Sequence, residues 1–413
     1  MGFNGNFSPF VNGGSASNGG SAGGSAGGSA GGSAGGPVAG IYGDVYASPL
    51  FAEALNRNRE GIFDPNERVP LWTLPARVDC LDNTQFYRWD PWVRSYLATQ
   101  EALHMTDFDV QCADPKATDP RLNVTFKAKD YSSGEWLQVV KITRPPAAVF
   151  EAQLAKVLDW AELREERSAE ILAQIDNQYP FWGSLIPIQS DRLRHTRELL
   201  DAAVQMSVFV EMRFKHELAC WRPCDYSSQV QPLITTPGHG SLPSGHCTQS
   251  RVIVEVLKVL LNSTHRAEPY RSFNRQLGRM ADRISVNRLI AGLHFPVDNV
   301  AGRLLGTVLG EYFVYRCGGR PNKDAPSLAP WRAGEFDGTL FPGDADFDPF
   351  RQPLIPGHKD MPKFYKFDLP KGKDGKPMKV GAPRVSLLSE LWKKAESECK
   401  ELRLRFDESE ATP

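Results

Sequence analysis

From about residue 146 to residue 316 the chain repeats apolar residues at three- and four-residue intervals almost without a break, and this restricts its fold more than any other feature. The spacing predicts helices over about 146–177, 190–220, 244–262, 267–293 and 297–316, with a last amphipathic helix over 384–406. Helices of this length bury their apolar stripes against one another, so the expected fold class is mainly α, a helical bundle. One exception precedes them. Asn123 to Lys129 and Trp136 to Thr143 alternate apolar and polar residues around Asp-Tyr-Ser-Ser-Gly, which predicts a small β-hairpin.

Four segments follow from this pattern. Residues 1–36 hold 14 of the 36 glycines and repeat Ser-Ala-Gly-Gly from Ser21 onward. Such a stretch has no apolar surface to bury, so it reads as a flexible tail or an artificial linker. Residues 37–145 form an N-terminal irregular and hairpin region, and residues 146–316 the helical core. Residues 317–413 make a Pro-rich wrap and the C-terminal helix, with 11 prolines between 318 and 383 arguing for an irregular surface segment.

Composition excludes several classes. Lys plus Arg is 48 and Asp plus Glu is 49, a net charge of −1, which argues against coating nucleic acid or an anionic membrane. No apolar run approaches the length that spans a bilayer, so no membrane span is expected. The first residues lack a basic and then an apolar stretch, and seven cysteines at irregular spacing suit reduced thiols, so the expectation is a cytoplasmic protein.

Three short blocks inside the helical region carry the chemistry: Lys215-x6-Arg222-Pro223, then Pro243-Ser244-Gly245-His246, then Arg288-x5-His294-x3-Asp298. Lys215, Arg222 and Arg288 are three cations suited to an oxyanion. Ser244 and Gly245 fall where a Gly-rich loop enters a helix, and the free N–H groups and dipole there favour an anion. Gly245 also permits close approach of the backbone. Pro296 stops the preceding helix, leaving His294 at a helix end, and Asp298 in the next turn can orient its ring. His246 adds a second imidazole for proton transfer.

In this order and spacing the blocks resemble the signature shared by type 2 phosphatidic acid phosphatases, bacterial class A acid phosphatases and vanadium-dependent haloperoxidases. Ten of its eleven specified positions match over about residues 190–316, and Asn287 stands where the family has Ser. The resemblance implies a helical bundle of the vanadium haloperoxidase and acid phosphatase type, with residues 146–316 as its catalytic core. It implies that Lys215, Arg222, Arg288, Ser244 and the Gly245 N–H hold the equatorial oxygens of vanadate or phosphate. His294 is then the axial partner, either the ligand to vanadium or the nucleophile of a phosphatase. His246 becomes the acid/base on the opposite side, and Asp298 orients His294.

Within that family the expected branch is the haloperoxidases, with vanadate as cofactor and hydrogen peroxide, halide and a small organic molecule as partners. No partner nucleic acid is expected; a homo-oligomer is compatible with the sequence. The long N-terminal region and the lack of a membrane span are unlike the phosphatase branches. His239, seven residues before His246, resembles the extra His of bromide-oxidising members, which implies oxidation of bromide or iodide. Met212 departs from the Trp that eukaryotic haloperoxidases carry three residues before the Lys. The alternative is a soluble phosphatase or phosphotransferase acting through a phospho-histidine. Cys220 and Cys224 are read as core rather than, with His216, a metal site, Asp344, Asp346 and Asp348 as a solvated loop, and His104, His195, His265 and His358 as surface or satisfied residues.

Overall fold

The computed structural model describes residues 49–67, 89, 91–175, 178–188, 191–261, 268–319, 331–354, 358–371 and 387–410. The 1–36 segment and His265 lie outside these residues. The described chain is mostly helical, and the predicted hairpin belongs to a five-stranded sheet.

After helix α1 (Pro49–Ile62) and helix α2 (Pro91–Ala102) come strands β1 (Thr106–Ala113), β2 (Arg121–Lys129) and β3 (Trp136–Thr143). The predicted helix over 146–177 divides into α3 (Ala147–Ala161) and α4 (Arg164–Ala173). The break has a tertiary cause. Arg164, at the start of α4, donates to the carbonyls of Ile290, Gln231 and Val230 at 2.8–2.9 Å, and this outweighs uninterrupted helix propensity. The long helices follow as expected: α6 (Arg194–Leu218), α8 (Gly245–Leu261), α9 (Glu268–Ile290) and α10 (Pro296–Arg316), with short α5 (Tyr179–Gly183) and α7 (Pro223–Tyr226) between. The last helix, α11 (Leu387–Glu410), packs on α6.

The Pro-rich segment is not a mere surface wrap. It supplies β4 (Ala333–Asp337) and β5 (Tyr365–Asp368), and it buries Trp331, Phe336, Phe364 and Tyr365. The strands run in order β1-β2-β3-β4-β5, with β3 and β4 parallel and the other pairs antiparallel. Pairing of β3 with β4 joins residues almost two hundred positions apart, so nothing local in the sequence announces it. The sheet rests on the bundle: Phe126 of β2 meets Tyr312 of α10 edge-on at 6.0 Å, and Phe108 of β1 meets Phe214 of α6 at 5.5 Å.

Helix α10 is the axis of the molecule, for all its residues are buried. Its approach to α8 depends on small residues one turn apart. A Cβ on Gly302 would lie 2.7 Å from the Ser244 carbonyl oxygen, and one on Gly306 would strike the Thr248 carbonyl. This contact presses the start of α8 against the start of α10, where Ser244 N–H donates to the Asp298 carbonyl at 2.9 Å. Two of the three sequence blocks are thereby brought together.

Candidate active site

Lys215 sits in the last turn of α6, which ends when Ala219 adopts the left-handed conformation at φ 49°. The chain then reverses, so Lys215 and Arg222 converge from a helix end and the start of α7 rather than from one helix face. Lys215 Nζ donates to the carbonyls of Gly240, Ser241 and Pro243 at 3.1, 3.1 and 2.5 Å. Three acceptors satisfy all three ammonium protons. The side chain that the sequence casts as an oxyanion donor instead ties down the loop before α8, and it contributes charge.

Arg222 is the hub. Its Nη1 donates to the Leu293 carbonyl at 2.8 Å and lies 3.2 Å from His294 Nε2, and its Nη2 lies 3.1 Å from His239 Nδ1. A guanidinium only donates, so His294 Nε2 is an acceptor, whereas His239 Nδ1 lies between this donor and the Gly240 carbonyl oxygen at 3.2 Å. The His294 proton is therefore on Nδ1, which faces Asp298 Oδ2 at 3.2 Å. That carboxylate oxygen also accepts from Ser241 Oγ and from Phe295 N–H at 2.8 Å. The result is an imidazole held in one tautomer with its Nε2 lone pair turned toward the cations.

His246 is held the other way round. Its Nε2 lies 2.9 Å from the Gln174 carbonyl oxygen, which only accepts, so Nε2 carries the proton and Nδ1 is the basic nitrogen. Arg288 donates through Nη2 to the Ile171 carbonyl and to Gln174 Oε1, each at 3.2 Å. Its Nε and Nη1 are buried without a partner, as is Ser244 Oγ. At Gly245 an added Cβ would lie 2.7 Å from Glu211 Oε1, so a larger residue there would displace the Glu211 carboxyl.

Burial governs the charges. It pushes the His246 and His239 imidazoles down to about 3 and His294 well below its ordinary value, with the neighbouring cations adding to the effect, so all three rings are neutral at pH 7. Burial likewise lifts the Asp298 carboxyl to about 6 against the pull of Ser241 and Phe295. It lifts Glu211 and lowers Lys215, which share charge one helical turn apart.

All the motif residues named from sequence, and His239, gather in this one region. Three participants escaped the sequence reading: Gln174, Glu211 and Ser241. Glu211 left a local trace, as an acid four residues before Lys215 on a helix; Gln174 and Ser241 left none. The predicted donor set fits an oxyanion such as vanadate or phosphate, because Ser244 Oγ and two Arg288 nitrogens are buried donors lacking an acceptor.

The lesser candidates take structural roles. Cys220 is buried and Cys224 lies 3.6 Å from Thr236 Oγ1, but neither is on the long helix, and His216 is exposed. Among the described residues no group of His, Cys, Asp and Glu could hold a metal ion. Asp346 accepts from the Trp160 indole, Asp348 caps the following turn, and His195 pairs with Glu398 at 2.6 Å.

Residues 200–322 match the family described as the PAP2 superfamily, which includes vanadium haloperoxidases and phosphatases. No curated protein matches the chain. No helix among the described residues is long and apolar enough to cross a membrane.

Proposed function

We propose that the chain is a haloperoxidase that holds vanadate on His294, uses hydrogen peroxide to oxidise bromide or iodide, and passes the oxidised halogen to a small organic substrate. The observation that carries this reading is the His239 ring, bonded to the same Arg222 that reaches His294 and kept neutral by burial. In the tautomer whose Nδ1 accepts from Arg222, its Nε2–H is a donor for halide or peroxide oxygen.

When bound, vanadate supplies the Lewis-acid centre at which peroxide becomes electrophilic toward halide. Nε2 of His294 would be its protein ligand. Arg222, Arg288, Ser244 Oγ and the Gly245 N–H would hold the remaining oxygens. Nδ1 of His246 accepts the proton that hydrogen peroxide gives up on entering the site. Overall, peroxide and a proton take two electrons from halide, and hypohalous acid and water leave.

One observation favours a second reading. Polarising bound peroxide calls for a free N–H on Lys215, yet its ammonium is saturated by three carbonyls. Phosphoryl transfer asks of Lys215 only its charge. In that reading His294 Nε2 attacks phosphorus, the bond to the ester oxygen breaks, and the departing alkoxide takes a proton from a water molecule whose other product, hydroxide, is neutralised by solvent. Water then cleaves the phospho-histidine.

The test is a pair of assays on one preparation: bromide oxidation with peroxide, and hydrolysis of a phosphate monoester, each with and without added vanadate. The haloperoxidase reading expects bromide oxidation only with vanadate. Rapid ester hydrolysis, with no bromide oxidation at any vanadate concentration, would replace it by the second.

A further inference from the structure

Gln174 lies outside all three sequence blocks, at the end of α4, yet it touches two of their residues at once. Its backbone carbonyl accepts from His246 Nε2 at 2.9 Å, and its side-chain Oε1 accepts from Arg288 Nη2 at 3.2 Å. It is 1% exposed.

Which end of its amide faces the site is settled by a chain of donors and acceptors. The Glu170 carboxylate, held low by Arg283, can only accept. It takes a bond from Asn287 Nδ2 at 2.9 Å, which fixes the Asn287 amide and leaves its Oδ1 to accept from Arg167 at 3.4 Å. The same Nδ2 donates to Gln174 Oε1 at 3.0 Å. With Asn287 and Arg288 both donating to it, the atom facing them must be oxygen. The NH2 end is turned the other way, and there it is buried without a partner. Asn287 stands where the resembling family has Ser, and an amide is the side chain that reaches Glu170 and Gln174 together.

A buried NH2 with no acceptor is costly, and residues bonded to Gln174 or to its neighbours share that state. Arg288 Nε, Arg288 Nη1 and Ser244 Oγ are also buried donors without partners. An acceptor-only ligand with several oxygens satisfies such a set. We infer that Gln174 donates its amide NH2 to the bound oxyanion, and that Asn287 and Glu170 lock the amide in the orientation that makes this possible. The inference rests on the oxyanion site of the proposed function and adds to it a donor from the preceding helix.

The test measures binding of inorganic vanadate and inorganic phosphate by calorimetry, on the full chain, with circular dichroism and melting curves as controls. Gln174→Met removes both amide functions and should weaken binding about tenfold. Gln174→Glu keeps an acceptor for Arg288 but replaces the donor with a second acceptor. It should bind more weakly still, on the order of a hundredfold below the parent. Asn287→Ser leaves Gln174 in place and releases its amide, and should weaken binding several-fold; it serves if the Gln174 variants fail to fold. Were Gln174 only a holder of Arg288, the Glu variant would bind at least as well as the Met variant, and that order would overturn the inference. Equal binding by the parent and Gln174→Met, or by the parent and Asn287→Ser, would also overturn it. A parent chain that binds neither ion while its fold is intact removes the oxyanion site itself, an outcome distinct from failure of Gln174 alone.

Discussion

Helices α6 and α8 begin in different surroundings, α6 at an exposed Arg194 and α8 at a buried Gly245, and their first turns are completed in opposite ways. At the start of α6, Leu193 has no capping side chain, and Glu398 from α11 does the work. Its two oxygens accept from the N–H groups of His195 and Thr196 at 2.9 and 2.8 Å, and the bonds hold its carboxyl below its ordinary value. At the start of α8 the first N–H groups have no partner within the helix, and the Ser244 hydroxyl is unpartnered. An acid beside it, Glu211 against Gly245, is pushed by burial toward its neutral form. One helix start carries its own anion. The other gathers cations and donors while its carboxyl neighbour is pushed toward its neutral form, and the proposed oxyanion would complete it.

That contrast breaks most sharply at His294. His294→Ala should lower turnover by at least about a thousandfold and abolish saturable vanadate binding, because it removes the one imidazole that Asp298 orients toward Arg222. Full vanadate-dependent activity in the variant, read by steady-state kinetics, would end the distinction between the two helix starts.

Arg288→Met should cost about a hundredfold in turnover, since it deletes two of the unpartnered donors of the open start. The melting temperature should fall little, for a buried guanidinium with free N–H groups stabilises the fold poorly without its anion. A large drop in melting with unchanged kinetics would mark Arg288 as structural.

His239→Phe separates the halide role from oxyanion binding. Bromide turnover should fall about tenfold while vanadate affinity, measured by titration, stays within about threefold, because only a hydrogen bond to Arg222 is lost. Equal bromide kinetics in both proteins would take His239 out of the reaction.

The smallest effect at the site belongs to the closed start. Glu398→Ala should cost about 1–2 kcal/mol of stability, a few degrees of melting temperature, and leave oxyanion binding unchanged. The fold depresses this carboxyl below its ordinary 4.5, so its stabilisation is complete above that pH and is lost as pH falls through the depressed value. Acid melting curves of parent and variant should therefore converge at low pH. Curves that stay parallel to the acid limit would show that the charge of Glu398 does not cap α6.

The long helices α6, α8, α9 and α10 were legible locally, because helical period, Pro and Gly act within a few residues. Pro296 starts α10 and Gly245 opens α8 as read from local chemistry, whereas α9 ends earlier than Pro296 requires, at Ile290, with Gly292 left-handed at φ 75° and His294 in the link. The three blocks were legible for the same reason: their spacing is short and their residue types are rare in combination. Tertiary structure alone decided the rest. It joined β4 to β3, split α4 from α3 through Arg164, and fitted α10 to α8 along Gly302 and Gly306. It set Gln174 on Arg288, spent the protons of Lys215 on loop carbonyls, and sent Glu398 to cap α6. Each of these links residues far apart in the chain, where no periodicity connects them, and each is fixed by which donor is left facing which acceptor once the core has packed.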